Sequence, residues 1–128
     1  MYRFWLIAGA ANMLLALIIA AAVGHRLEGE FVPVIRAIFD TAREMHFVHA
    51  LGLIAVGIVS AQFGRKLMID FAGWAFLIGI VCFCGGIYLG FGPNATEVRA
   101  LIPLGGLSLM AGWVLFGIGA FFLKRLVT

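Results

Sequence analysis

Four long apolar runs, joined by short polar segments, constrain this chain more than any other feature of its sequence. The first run, from Phe4 to Val23, holds twenty residues without a charged side chain. A helix of that length spans roughly 30 Å, which is the thickness of the hydrocarbon core of a bilayer. The other three runs cover residues 45–63, 71–91 and 101–123. The pattern predicts an all-α integral membrane protein whose four transmembrane helices run up and down.

The composition excludes a soluble domain, because 64% of the residues are hydrophobic and only 12% are charged. With 128 residues the chain is too short for two domains, so we expect a single membrane domain over residues 1–128. Arg3 and the apolar run after it also fit a secretory signal peptide, but the run is longer than a typical signal core. We expect a retained membrane helix.

Residues 31–44, between the first and second runs, form an amphipathic segment. Its apolar residues recur at helical spacing and its charged residues occupy the other faces. Asp40 is spaced to pair with Arg36 and with Arg43 along one side of a helix. We expect an interfacial amphipathic helix between transmembrane helices 1 and 2, or a protruding extension of the second span.

Small residues recur at helical spacing within the apolar runs and predict close helix packing. In the first run they form a stripe that includes Asn12, a polar group at mid-membrane depth that we expect to face protein, where it would form a hydrogen bond between helices. In the third and fourth runs the expected packing residues are Gly79, Gly86, Gly90, Gly105, Gly112 and Gly119.

The charge distribution gives a modest indication of orientation. The formal net charge is +3, and the Lys and Arg residues mostly flank apolar runs, so we expect no nucleic-acid partner. The side that holds both termini carries five Lys and Arg against four on the other side, which favours cytoplasmic termini in a bacterial inner membrane. We interpret the acidic residues as a solvated face, with no catalytic carboxylate pair: Glu28, Glu30, Asp40, Glu44 and Asp70.

Short motifs along nearly the whole chain resemble one family, domain-of-unknown-function family 423, to which transmembrane protein 256 of animals is similar. The motifs are Arg3-Phe4-Trp5-Leu6, Gly24-His25, Phe39-x-Thr41-Ala42, His49-Ala50-Leu51, Gly73-Trp74-x-Phe76, Tyr88-Leu89, Pro103-Leu104-Gly105-Gly106 and Gly112-Trp113. The resemblance implies small bacterial inner-membrane proteins and no particular reaction. The chain departs from the family pattern at His46, Val48, Ile102 and Cys84, where glutamine, tyrosine, threonine and serine are usual.

The histidines are the main candidates for chemistry. His46 and His49 are three residues apart on one helical face, and His25 ends the first span on the same side, so the three could converge. Imidazoles that converge can bind haem iron, copper or zinc, which makes a redox or metal-binding module one hypothesis. The other interpretation is that they form hydrogen bonds that fasten the amphipathic segment to the bundle.

Known catalytic motifs are missing from the sequence, including a nucleophile elbow, a P-loop and HExxH. No charged residue lies in the centre of a run, which disfavours a proton-coupled or ion-coupled transporter. We therefore expect a non-enzymatic accessory or structural subunit without a cofactor. Its expected partners are the lipid bilayer and either a second copy of the chain or a larger membrane complex.

Overall fold

The structure, a computed structural model, describes residues 1–26, 33–90 and 95–123. These residues form helices and turns, with no strand among them. In chain order the elements are α1 (Tyr2–Arg26), α2 (Pro33–Phe63), α3 (Leu67–Gly79), a π-helical turn (Ile80–Cys84), α4 (Gly85–Leu89), α5 (Ala95–Arg99) and α6 (Leu101–Phe121).

Within the described residues, four helical stretches are long and apolar enough to cross a membrane, which confirms the predicted all-α architecture. They cover Tyr2–Val23, Pro33–Phe63, Leu67–Leu89 and Thr96–Phe121. The third begins four residues before the predicted start at residue 71, so it includes Asp70. The second stretch includes most of the predicted amphipathic segment.

Residues 33–44 are the first part of α2, which continues without interruption to Phe63. Of the two forms expected for this segment, the structure therefore has the extension of the second span, while residues 31 and 32 lie outside the described part. The reason is local: between Val34 and Leu51 the sequence holds no glycine or proline that would end a helix.

The helices pack as two pairs. α1 packs along α2, α3 packs along α6, and contacts between α2 and α3 join the pairs. In the most apolar 18-residue window of each span, 44% of the residues are buried in the second and third spans, against 11% in the first and 17% in the fourth. The second and third spans therefore form the centre, and the first and fourth form its flanks.

A tight turn connects α2 to α3. Gly64 follows the last residue of α2 and has a φ of 72°. This backbone conformation favours glycine, because glycine has no Cβ to clash with the backbone. Two basic residues, Arg65 and Lys66, complete the turn before α3 begins at Leu67. The short turn places α3 antiparallel beside α2.

Glycines bring α6 against the third span. A Cβ added to Gly105 would overlap the backbone nitrogen of Phe83, and one added to Gly112 would overlap the ring of Phe76. Four further glycines face these helix contacts: Gly79 faces Leu109, Gly86 faces Ile102, Gly90 faces Arg99 and its own helix, and Gly119 faces Ile69. The structure thus places all six expected packing glycines at contacts within the chain.

The third span is not one regular α-helix. Residues Ile80–Cys84 form a π-helical turn, and its Phe83 backbone is the part that Gly105 of α6 approaches. Such turns are frequent at functional sites but have no sequence signature. The apolar pattern of residues 71–91 therefore could not predict it.

Candidate functional site

Two separate clusters of hydrogen-bonded polar side chains lie inside the described part of the bundle. The histidine cluster consists of Asn12, His46, His49, Tyr88 and Trp113, which come from α1, α2, α4 and α6. The Asp70 cluster, at the other end of the bundle, consists of Trp5, Arg65 and Asp70.

His46 links the first span to the third. Asn12 Nδ2 donates to the Ala8 carbonyl oxygen at 2.8 Å, which turns the Asn12 Oδ1 toward His46. His46 Nε2 lies 3.3 Å from that Oδ1, and His46 Nδ1 lies 3.4 Å from the Tyr88 hydroxyl oxygen. Since an amide oxygen only accepts, Nε2 carries the proton and Nδ1 accepts from Tyr88. Asn12 therefore faces protein, as its stripe predicts, and its partner is His46.

His49 links the second span to the fourth. Its Nδ1 lies 2.7 Å from the Met45 carbonyl oxygen and therefore carries the proton, while its Nε2 accepts from Trp113 Nε1 at 3.0 Å. The Phe76 ring lies 5.5 Å from the imidazole, centroid to centroid. His49 is thus neutral with its proton on Nδ1, whereas His46 carries a proton on Nε2.

This arrangement limits what the histidines can bind. A metal ligand needs a free nitrogen lone pair, but the acceptor nitrogen of each ring already receives a hydrogen bond. Among the described residues no three His, Cys, Asp or Glu side chains lie close enough to hold a metal ion. The side chain of His25 lies outside the described part, so convergence of all three histidines stays a prediction.

An apolar crevice of about 370 Å³ lies beside His49, between α2, the π-helical turn and α6. Its walls include Met45, Phe83, Met110 and Trp113. His49 offers this space no free donor or acceptor, because both ring nitrogens are bonded. The crevice therefore offers a bound molecule chiefly apolar contacts.

The Asp70 cluster corrects the prediction that Asp70 belongs to a solvated face. Asp70 is only 2% exposed, since it lies in the first turn of α3 and faces the bundle. Trp5 Nε1 donates to its Oδ1 at 3.0 Å, and Arg65 Nε donates to its Oδ2 at 2.7 Å. Sequence reasoning missed Trp5, which is 65 residues away and has no local signal.

The acids at the other end keep the predicted exposed character where the structure describes them. Arg43 pairs with Asp40 at 3.0 Å, which confirms one of the two expected ion pairs on α2, and both side chains are partly exposed. Glu28 and Glu30 lie outside the described residues.

Two substitutions of His46 should distinguish the contribution of its hydrogen bonds to stability from the contribution of its volume. We expect His46→Leu to destabilise the protein by about 2 kcal/mol, because it leaves the Asn12 oxygen and the Tyr88 hydroxyl without a partner. His46→Gln should cost less than about 1 kcal/mol, since an amide can donate to Asn12 and accept from Tyr88. Unfolding in mixed micelles, followed by tryptophan fluorescence, measures both. Equal stability of the two variants would contradict the assignment.

Comparisons with known proteins agree with this architecture. The model of the family described as "Protein of unknown function (DUF423)" matches residues 19–106, which is more than half of the chain. The UPF0382 membrane protein YwdK of Bacillus subtilis is 30% identical over 118 residues, which cover 92% of this chain and 96% of the relative. The UPF0382 membrane protein SSP2132 of Staphylococcus saprophyticus is 29% identical over 119 residues, which cover 93% and 98%. The search of solved structures found no match.

Proposed function

The chain belongs to the DUF423 family of unknown function, whose relatives compared above are named as membrane proteins, and from that premise we propose that it is a non-enzymatic membrane subunit. In this proposal the bundle carries no cofactor and assembles with itself or with a larger membrane complex. Its role is to supply a packed helical surface.

One observation carries the proposal: the two buried histidines and the buried carboxylate of Asp70 are held by hydrogen bonds within the chain. Each acceptor nitrogen of His46 and His49 receives a hydrogen bond from a second helix. Both carboxylate oxygens of Asp70 also accept hydrogen bonds. Groups held in this way fasten helices together, and a substrate would have to displace those bonds.

We infer the surface for assembly from the helix faces that no other part of the described chain covers. The seam of Gly105, Gly112 and Gly119 is used inside the chain, so it is not that surface. Gly117 lies on the opposite side of α6, where an added Cβ would meet no atom within 4 Å. Its outward neighbours Val114 and Phe121 are exposed. A glycine on an uncovered transmembrane face is typical of a place where a second helix approaches closely.

The proposed location is the bacterial inner membrane, with both termini in the cytoplasm. The relatives compared above come from bacteria. The excess of Lys and Arg on the side of the termini, five against four in the sequence, supports this orientation.

Purification from native membranes in a mild detergent tests the proposal. We expect the wild-type chain to elute as a homo-oligomer or with a stoichiometric partner, and to show no visible absorption band. Gly117→Leu should lose the oligomer or partner while its helical circular dichroism is unchanged, because the new side chain meets nothing within the chain. Gly112→Leu is the matched control on the inward side, and we expect it to lose helix packing itself.

Two results would contradict this proposal. A wild-type chain that is a single copy without a bound partner protein, both in detergent and after cross-linking in membranes, would exclude the subunit role. A haem or copper spectrum that disappears in His49→Ala would instead make the chain a redox module.

A further inference from the structure

A pocket of about 310 Å³ opens at the end of the bundle that holds the α2–α3 turn. Its walls are Met1, Tyr2, Ser60, Ala61, Gly64 and Arg65. These residues are the start of α1, the last turn of α2 and the connection that follows it. Because two transmembrane helices begin or end there, the pocket lies at the level of lipid head groups.

The guanidinium of Arg65 is held at the mouth of this pocket. Its Nε donates to the buried Asp70 carboxylate at 2.7 Å, yet the side chain is 67% exposed. The ion pair thus holds the guanidinium through its Nε, while most of the side chain stays exposed. An arginine oriented in this way matches two oxygens of a phosphate group.

The surroundings of the pocket are basic. Two further basic residues are sequence neighbours of residues in the pocket wall: Arg3 follows Tyr2, and Lys66 follows Arg65. Asp70 is the one acid at this end within the described residues, and its charge is already paired with Arg65. The pocket therefore favours an anion.

Two hydroxyl groups on the pocket walls are available as donors. Tyr2 accepts a hydrogen bond from Arg3 Nε at 3.3 Å, which leaves its own hydroxyl proton to donate. Ser60 is 5% exposed, and its Oγ is the one buried side-chain nitrogen or oxygen in the described part of the chain without a hydrogen-bond partner. An unsatisfied buried hydroxyl is unfavourable, so its persistence at a pocket wall indicates a partner that the chain does not supply.

We propose that this pocket binds the phosphate group of an anionic phospholipid. Arg65 contacts two phosphate oxygens, and a change of the Ser60 side-chain rotamer brings its hydroxyl to a third. A phospholipid is favoured over a free anion because the pocket is at head-group level, where basic residues attract acidic lipids, and its acyl chains can lie against the apolar sides of α1 and α2.

Lipid-induced thermal stabilisation of the full chain in detergent tests the proposal. The three probes are phosphatidylglycerol, phosphatidylcholine and inorganic phosphate, titrated over the same concentrations. We expect phosphatidylglycerol to bind the wild type most tightly. Ser60→Ala should weaken this binding about threefold and Arg65→Gln about tenfold. Arg36→Gln is the control, since it removes an exposed arginine at the opposite end of the bundle.

Ser60→Ala carries the test, because Arg65→Gln also removes the partner of Asp70. Without lipid, Ser60→Ala loses no hydrogen bond of the chain and should be as stable as the wild type. A phosphatidylglycerol affinity of Ser60→Ala equal to that of the wild type would overturn the proposal, whatever the affinity of Arg65→Gln. Tighter binding of inorganic phosphate than of the lipid, with the same dependence on Ser60, would overturn the proposal that the ligand is a phospholipid. It would show that the pocket binds free phosphate instead.

Discussion

Gly105→Ala is expected to lower the free energy of unfolding by about 3 kcal/mol, although it adds a single methyl group. The added Cβ would overlap the backbone of Cys82 and Phe83, and backbone atoms cannot move aside as the end of a side chain can. The fourth span would have to withdraw from the π-helical turn along its length. Unfolding in mixed micelles, followed by circular dichroism, measures the loss.

The control for this prediction lies on the same helix. Gly117→Ala makes the same chemical change at a position where the added Cβ meets nothing within 4 Å. It should leave stability unchanged or raise it by up to about 1 kcal/mol, since alanine favours a helix more than glycine does. If Gly105→Ala were as stable as Gly117→Ala, the close approach of the two spans would be refuted.

Arg65→Ala is expected to destabilise the protein by about 3 kcal/mol, because it leaves the Asp70 carboxylate without its cation. Asp70 is 2% exposed with Arg65 in place, so after the substitution the carboxylate loses its cation and gains only the water that enters where the guanidinium was. An ordinary surface ion pair would be worth less than about 1 kcal/mol. The size of the loss therefore reports the burial of Asp70.

A second substitution makes this prediction sharper. Asp70→Asn introduced into Arg65→Ala should restore most of the lost stability, since the amide removes the uncompensated charge and keeps an acceptor oxygen for Trp5. The double variant is thus expected to be more stable than Arg65→Ala alone. A double variant less stable than Arg65→Ala would show that the charge is not buried as the structure has it.

The sequence predicts the helices well because membrane helices are governed by local chain properties. Length, apolarity and the positions of turn residues determine where a helix can cross the bilayer. The seven-residue spacing of Gly105, Gly112 and Gly119 also predicts which face of α6 packs closely, and each of these glycines lies at a contact with the third span.

The side-chain clusters could not be predicted in the same way. His46 meets Asn12 and Tyr88 across separations of 34 and 42 residues, and Trp5 meets Asp70 across 65. Spacing along one helix says which residues share a face, but it does not identify the residue of another helix at the same depth. Asp70 is an example: the basic residues four and five positions before it in sequence suggest an exposed charge, whereas its bond from Trp5 of α1 has no signal in the sequence.

The uninterrupted helix α2 has a geometric consequence for how the protein sits in a bilayer. Its 31 residues measure about 47 Å, while the hydrocarbon core is roughly 30 Å thick. Transmembrane helices tilt by at most about 40°, and at that angle α2 would still extend about 36 Å along the bilayer normal. Tilt alone therefore cannot place all of α2 within the hydrocarbon core. The end of the helix that carries Arg36, Asp40 and Arg43 projects from that core. One continuous rod thus reaches from the aqueous boundary, with its ion pair, to the membrane interior, with its two histidines.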